Sequence, residues 1–336
     1  MMANVTIDFN LSDERTASLH AGFNGGKKNR IAGDLTALIG NTPLLEMKRL
    51  AQSENAQGNI IAKLEYRNPG GRSKDRAALS MITDAENKGY LSEGGLIVEP
   101  TSGNMGIALA WIAKVKGYRA VIVMPENMSE ERKKIIRAFG AELVLTPASL
   151  GMQGAVDEAK KLYATTPGAF MPDQFNNPAN AEAHRLTTGP EILKDTYGKV
   201  DCFIAGVGTG GTLTGVGAVL KAFNKDVRIV AVEPAESPLL SGGQAGTHGI
   251  QGIGANFVPS VLDRSLIDEV IDVKTEQAYG YSRKAAGVEG LSIGISSGAA
   301  LCAACQVAVR PDMKGKNIVV LLPDSGERYL SGTLYS

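Results

Sequence analysis

Short apolar segments alternate along the chain with longer segments in which apolar side chains recur every three or four positions. The short segments are continuously apolar, as are strands that a parallel sheet buries on both faces. Their alternation with helical segments predicts an α/β protein with parallel sheets. The predicted strands are residues 60–65, 96–99, 120–124, 142–145, 202–205, 229–233 and 318–322. The predicted helices are residues 77–88, 104–116, 129–139, 152–163, 212–223, 277–288 and 299–309.

Length and charge narrow the class of protein. The chain has 336 residues, more than the roughly 250–300 residues at which a single hydrophobic core stops growing, so we expect two lobes. Lys plus Arg and Asp plus Glu each number 35, and this balance disfavours a nucleic acid or an anionic membrane as the partner. Residues 1–34 are polar and lack periodicity, and we expect them to form an arm or tail.

Cysteine usage indicates a reducing compartment. Three cysteines, Cys202, Cys302 and Cys305, are too few for a disulfide framework, so a cytoplasmic location is expected. No signal peptide or membrane-spanning stretch is expected either. Cys302 and Cys305 form a C-x-x-C pattern inside the small-residue run 299–308, which reads as a packed helix rather than a redox or metal site.

A glycine-rich loop, residues 206–212 with the sequence GVGTGGT, follows the predicted strand 202–205. Ligands of parallel sheets bind beyond the carboxyl ends of the strands. Glycines there let backbone N–H groups face an anion, and the helix start and the hydroxyls of Thr209 and Thr212 suit a phosphate. The loop also satisfies G-x-G-x-x-G, and Glu233 ends the next strand where a ribose-binding acid would stand. A dinucleotide enzyme therefore remains an alternative at this point.

A second loop, residues 68–76, has the sequence NPGGRSKDR and leads into an amphipathic helix. Lys74 would lie near the first turn, where the helix dipole disfavours an ammonium group and lowers its pKa. A lysine of this kind suits Schiff-base chemistry. The alternative is an ordinary solvated lysine, and this loop alone does not decide between the two.

Two further loops follow strands or precede helices. Residues 99–106, EPTSGNMG, offer amides and hydroxyls for a carboxylate, or simply cap a helix. Residues 294–298, GISSG, match the hydrolase pattern G-x-S-x-G. That elbow needs a later histidine, and none follows His248, so a hydrolase is excluded.

Taken together, these loops resemble the cysteine synthase family, the fold-type II pyridoxal 5'-phosphate (PLP) enzymes that include O-acetylserine sulfhydrylase and β-cyanoalanine synthase. The resemblance runs from about residue 38 to about residue 334, and a nicotinamide enzyme would need neither the lysine loop nor the TSGN loop. It rests on IGNTPLL at 39–45, KLEYRNPGGRSKDR at 63–76, EPTSGNMGIALA at 99–110, QFNNPAN at 174–180, GVGTGGTLTGVG at 206–217, GISSGAA at 294–300 and LPDSGERYLS at 322–331.

The resemblance implies a role for each matching residue. Lys74 would bind PLP covalently, Asn104 would bond the ring hydroxyl, and Ser296 would face the pyridine nitrogen. The cofactor phosphate would be held by Gly208, Thr209, Gly210, Gly211 and Thr212. The substrate carboxylate would be held by Thr101, Ser102, Gly103 and Gln174.

The implied reaction is β-replacement on an activated serine. A neutral serine at the ring nitrogen makes the cofactor a weaker electron sink, which favours elimination to an aminoacrylate that a second nucleophile attacks. Cysteine synthase is the expected activity, and a cysteine-consuming or sulfide-releasing enzyme is the alternative. Met105 and Asn256 depart from the family patterns TSGNTG and GIGAGF, and we expect both near the substrate. A nicotinamide enzyme and a catalytically idle sensor are more remote alternatives.

The family also implies an architecture and partners. Its fold, similar to the tryptophan synthase β subunit, has two parallel-sheet lobes with the active site between them. Residues 35–71 with 178–336 would form the larger, cofactor-binding lobe, and residues 72–177 a smaller lobe that closes on the substrate. A homodimer is expected, and serine acetyltransferase is a possible partner. We expect no regulatory module after residue 336 and no haem.

Overall fold

The computed structural model of the protein describes residues 31–336. The predicted arm, residues 1–34, therefore lies almost wholly outside the described residues. The strands are β1 (Leu44–Glu46), β2 (Asn59–Leu64), β3 (Leu96–Pro100), β4 (Arg119–Pro125), β5 (Glu142–Thr146), β6 (Ala169–Phe170), β7 (Cys202–Gly206), β8 (Arg228–Pro234), β9 (Glu269–Val273) and β10 (Asn317–Leu322). The α-helices are α1 (Lys48–Ser53), α2 (Lys74–Asn87), α3 (Asn104–Lys116), α4 (Glu130–Ala138), α5 (Gly151–Thr165), α6 (Ala179–Ala183), α7 (Gly189–Asp195), α8 (Gly211–Phe223), α9 (Thr275–Glu289) and α10 (Ile295–Ala308).

Two sheets organise these elements. One has six strands in the order β1-β2-β10-β7-β8-β9, and the other has four in the order β5-β4-β3-β6. All neighbours are parallel except β1, which pairs with β2 in the antiparallel sense. The chain leaves the six-stranded sheet after β2, builds the four-stranded sheet, and returns at β7. The predicted α/β class with parallel sheets is confirmed, and β1 is the exception.

Each predicted strand and helix is present, and the differences concern short elements and helix starts. The apolar pattern did not predict six short elements of two to seven residues each: β1, β6, β9, α1, α6 and α7. Helix α2 begins at Lys74 instead of residue 77, and α10 begins at Ile295 instead of residue 299. Both helices therefore start inside the loops that carry the candidate chemistry.

Helix α10 is buried on nearly all sides, since it packs against α9 and the six-stranded sheet. Small residues allow this close approach, and Cys302 and Cys305 are each 1% exposed. Burial raises the pKa of Cys302 to about 11, so the thiol is protonated at neutral pH. Within residues 31–336 there is no group of three or more His, Cys, Asp or Glu side chains that could hold a metal ion. Nor is any helix in this part of the chain long and apolar enough to cross a membrane.

A buried charge network fixes the start of α2 to the six-stranded sheet. Arg76 lies between two carboxylates, with Nε 2.7 Å from Glu65 Oε2 and Nη1 2.7 Å from Glu191 Oε1. Lys63 completes the network at 2.8 Å from Glu191 Oε2. Burial alone would raise the pKa of Glu65, but the Arg76 guanidinium outweighs it and lowers the value to about 2. These ion pairs hold Lys74, two residues from Arg76, in a defined place.

Candidate active site

Lys74 is the first residue of α2 and faces the glycine-rich loop. Its Nζ donates to Thr209 Oγ1 at 3.4 Å, across 135 residues of sequence. Burial lowers the pKa of Lys74 to about 8, which leaves a usable fraction of neutral amine at physiological pH. The lowered pKa agrees with the expectation from the sequence, but its cause is desolvation rather than the helix dipole. The structure thus brings the candidate Schiff-base lysine to the candidate phosphate site.

The glycine-rich loop between β7 and α8 is a cradle whose glycine positions leave no room for a Cβ. Gly210 has φ of +81°, a conformation that favours glycine. A Cβ on Gly208 would lie 2.5 Å from the carbonyl oxygen of Gly252, and one on Gly211 would collide with Asn180 Oδ1. The loop leads into the N-terminus of α8, where backbone N–H groups and the helix dipole favour an anion. This geometry can hold an anion such as a phosphate group.

Two side chains that were not predicted as site residues hold the threonines of this loop. Asn180 Nδ2 donates to Thr209 Oγ1 at 2.9 Å, and His184 Nε2 lies 3.1 Å from Thr212 Oγ1. Burial lowers the pKa of His184 to about 3, so the imidazole is neutral near the phosphate site. Asn180 ends the motif QFNNPAN, which was the one available signal for it.

The loop between β3 and α3 carries the predicted carboxylate site. Gly103 N donates to Thr101 Oγ1 at 3.2 Å, while Ser102 is exposed. Arg132, which the sequence did not suggest, donates to Ser102 O at 3.1 Å and to Gln251 Oε1 at 2.6 Å. Arg132 therefore ties this loop to the segment that follows β8.

Gln174 reaches the same region through Glu99, the residue before Pro100 in β3. The backbone N–H groups of Asp173 and Gln174 donate to the Glu99 carboxyl at 3.0 and 3.4 Å. Gln174 O in turn accepts from Asn180 Nδ2 at 2.8 Å. Burial raises the pKa of Glu99 to about 8. Gln174 is thus connected to β3 through Glu99 and to the glycine-rich loop through Asn180.

Asn104 is the first residue of α3, and Ser296 is the second residue of α10. Asn104 Oδ1 accepts from Arg72 Nη1 at 2.7 Å, and its Nδ2 donates to Asp324 Oδ2 at 3.0 Å. Ser296 is 3% exposed, and a Cβ on Gly252 would lie 3.3 Å from its Oγ. Because the carbonyl oxygen of Gly252 also lies against Gly208, Ser296 lies beside the glycine-rich loop.

Met105 and Asn256, expected near the substrate, have different surroundings. Met105 is 1% exposed and belongs to the apolar cluster that packs α2 and α3 together. Asn256 is exposed, and its Oδ1 accepts from Ser237 Oγ at 2.8 Å. Its φ of +63° lies in the left-handed region, where asparagine is the best substitute for glycine. This conformation explains why asparagine can stand where the family pattern has glycine.

Comparison with known proteins places the chain in a family. The family model "Pyridoxal-phosphate dependent enzyme" matches residues 35–324. The chain therefore belongs to the PLP-dependent enzymes, with the fold-type II architecture, and PLP is its cofactor. The dinucleotide alternative is excluded: the Glu233 carboxylate accepts from the N–H groups of Leu240 and Ser241, each at 2.8 Å, and so closes a local turn.

Within this class, the similar proteins are cysteine synthases and related enzymes. A cysteine synthase of Staphylococcus aureus is 52% identical over 304 residues, which cover 90% of this chain and 97% of that protein. The crystal structure of a cysteine synthase from Entamoeba histolytica has a TM-score of 0.89 at 43% identity and 92% coverage of both chains. An O-ureido-L-serine synthase gives a TM-score of 0.87 at 45% identity, with 91% of this chain and 95% of that one covered. The chain is thus a member of the cysteine synthase family.

Proposed function

We propose that the protein is a cysteine synthase, which replaces the acetate of O-acetyl-L-serine by sulfide to give L-cysteine and acetate. The C–O bond at Cβ breaks, acetate leaves with its electron pair, and sulfide forms the new C–S bond. The observation that carries the proposal is the approach of Lys74 Nζ to Thr209 Oγ1 at 3.4 Å, which joins an amine of lowered pKa to an anion cradle.

The residues present fit PLP. The backbone of residues 208–212 would hold the phosphate, because there is no room for a Cβ at Gly208, Gly210 or Gly211 that would compete with it. Asn104 would contact the ring hydroxyl and Ser296 the pyridine nitrogen, and Lys74 would provide the covalent attachment. When bound, PLP withdraws electrons from the Cα of an attached amino acid and so acidifies its C–H bond.

Lys74 is the group that would move the proton. Its Nζ, with a pKa of about 8, can accept a proton from Cα and later return it. The backbone of Thr101–Gly103 and the amide of Gln174 would bind the substrate carboxylate and orient the C–H bond toward Lys74. A neutral Ser296 would leave the ring nitrogen unprotonated and so favour loss of the β-substituent.

The proposal also includes the division of the chain into two lobes, its oligomeric state and its partner. We place the closing lobe at residues 72–177 and the cofactor-binding lobe at residues 35–71 with 178–336. The four-stranded sheet, whose strands fall between residues 96 and 170, supports this division. We also propose a homodimer in the cytoplasm, with serine acetyltransferase as a possible partner. The resemblance supports the assembly, and three free, buried cysteines support the location.

The absorption spectrum and the activity of the purified protein test the proposed function. The purified protein should be yellow, and borohydride should fix PLP to Lys74 irreversibly. It should form cysteine from O-acetylserine and sulfide, and Lys74→Ala should abolish this activity. A colourless protein, or one that turns over cysteine but not O-acetylserine, would contradict the proposal. Sedimentation of the holoenzyme tests the dimer separately.

A further inference from the structure

A buried arginine and a buried aspartate contact the amide of Asn104 from its two sides. Arg72 and Asp324 are each 0% exposed and form an isolated antiparallel bridge, where the loop after β2 meets the segment after β10. Arg72 donates from Nη1 to Asn104 Oδ1 at 2.7 Å and from Nε to Gly70 O at 3.0 Å. Asp324 Oδ2 accepts from Asn104 Nδ2 at 3.0 Å and from Tyr329 Oη at 2.7 Å.

The hydrogen bonds to Arg72 and Asp324 allow only one orientation of the Asn104 amide. A guanidinium can only donate, so the atom facing Arg72 must be the carbonyl oxygen of Asn104. With the carbonyl oxygen on the side of Arg72, the amide nitrogen lies on the side of Asp324 and donates to its Oδ2. Burial lowers the pKa of Arg72 to about 10, and the guanidinium is still charged at neutral pH. The amide nitrogen has two N–H groups, and Asp324 takes only one of them.

We propose that Arg72 and Asp324 are positioning residues that hold the Asn104 amide so that its remaining N–H is presented to the ring hydroxyl of PLP. The inference rests on the proposed function and deepens it. An N–H at this place stabilises an ionised ring oxygen, and the Arg72 charge on the far side of the amide acts in the same direction. A reversed amide would instead offer a carbonyl oxygen and favour the protonated hydroxyl.

The unpaired atoms of the pair indicate that local stability is not its main contribution. Within residues 31–336, Arg72 Nη2 and Asp324 Oδ1 are buried and have no hydrogen-bond partner. Buried charges with unsatisfied atoms are a costly way to join two loops, and apolar residues of similar volume often do so better. What apolar residues cannot do is distinguish the two ends of an amide.

The test compares variants in which residues 72 and 324 can or cannot distinguish the two ends of the Asn104 amide. The double variant Arg72→Gln with Asp324→Asn nearly keeps the side-chain volumes. Both partners can then donate or accept a hydrogen bond, so the orientation of the Asn104 amide is no longer specified. In Arg72→Lys the partner is still only a donor. Tyr329→Phe is the matched control, because it removes a bond to Asp324 and leaves both bonds to Asn104.

Two readouts other than turnover are available. Bound PLP absorbs at long wavelength when its ring hydroxyl is ionised and at shorter wavelength when it is protonated. Trp111, the only tryptophan of the chain, lies in α3 and its quenching by PLP reports cofactor affinity. We expect the double variant to lose about tenfold in PLP affinity, as for one hydrogen bond to a charged acceptor, and to shift toward the short-wavelength band. Arg72→Lys and Tyr329→Phe should keep the spectrum of the parent.

An unchanged spectrum and affinity in a folded double variant, with the parent yellow, would overturn the positioning role alone. A parent that never shows a visible band would overturn the proposed function and this inference with it. Should circular dichroism show that the double variant does not fold, Arg72→Gln compared with Arg72→Lys makes the same distinction. Equal spectra for these two single variants would then refute the inference.

Discussion

The lowered pKa of Lys74 predicts how fast the apoprotein recombines with PLP at each pH. Only the neutral amine attacks the aldehyde of PLP. With a pKa of about 8, about 9% of Lys74 is neutral at pH 7, against about 0.03% for a lysine at its ordinary value. Burial should therefore accelerate recombination at pH 7 by about 300-fold relative to an exposed lysine of equal reactivity.

The assay follows the visible band after apoprotein is mixed with PLP in a stopped-flow instrument between pH 6 and pH 10. We expect the rate to rise about tenfold per pH unit below pH 8 and to level off above it. A simple alkylamine treated in the same way is the control and should keep accelerating to about pH 10. A protein rate that also rises steadily to pH 10 would refute the conclusion that burial depresses the pKa of Lys74.

Three further predictions concern the cradle, the charge network and the substrate. Gly210→Asp should abolish retention of PLP, because it places a side chain and a like charge at the phosphate; equilibrium dialysis of the variant against PLP measures this, and unchanged binding would put the phosphate elsewhere. Arg76→Met should destabilise the fold by about 3–5 kcal/mol, since it leaves the carboxylates of Glu65 and Glu191 buried without their main partner; urea unfolding of the apoprotein checks it, and a loss below about 1 kcal/mol would show that the network contributes little. Met105→Thr and Asn256→Gly should each lower the ratio of cysteine use to O-acetylserine use, measured as specificity constants with sulfide, with cyanide and with cysteine alone. If both variants keep the ratio of the parent, neither residue selects the substrate.

Much of the candidate site was predictable because its parts are contiguous in sequence. The lysine loop, the TSGN loop and the glycine-rich loop each follow a strand and open a helix. That local pattern is enough to suggest a candidate Schiff-base lysine in the first loop and candidate anion sites in the other two. The residues that hold these loops are not contiguous with them. Asn180 contacts Thr209 across 29 residues, and Arg132 contacts Gln251 across 119. Nothing in a local pattern indicates such pairs.

The sequence by itself determined the α/β class, the order of the long strands and helices, and the place of the chemistry after particular strands. Long apolar segments determine the class and the order of elements because their periodicity sets which faces are buried, whatever their neighbours are. Tertiary structure alone decided the pairing of short strands such as β1 and β6, and the environment of single residues. Met105 lies within an apolar cluster, and Lys74 owes its lowered pKa to burial rather than to its position in a helix. Burial and hydrogen-bond partners depend on which distant segments meet, and that is a property of the packed chain.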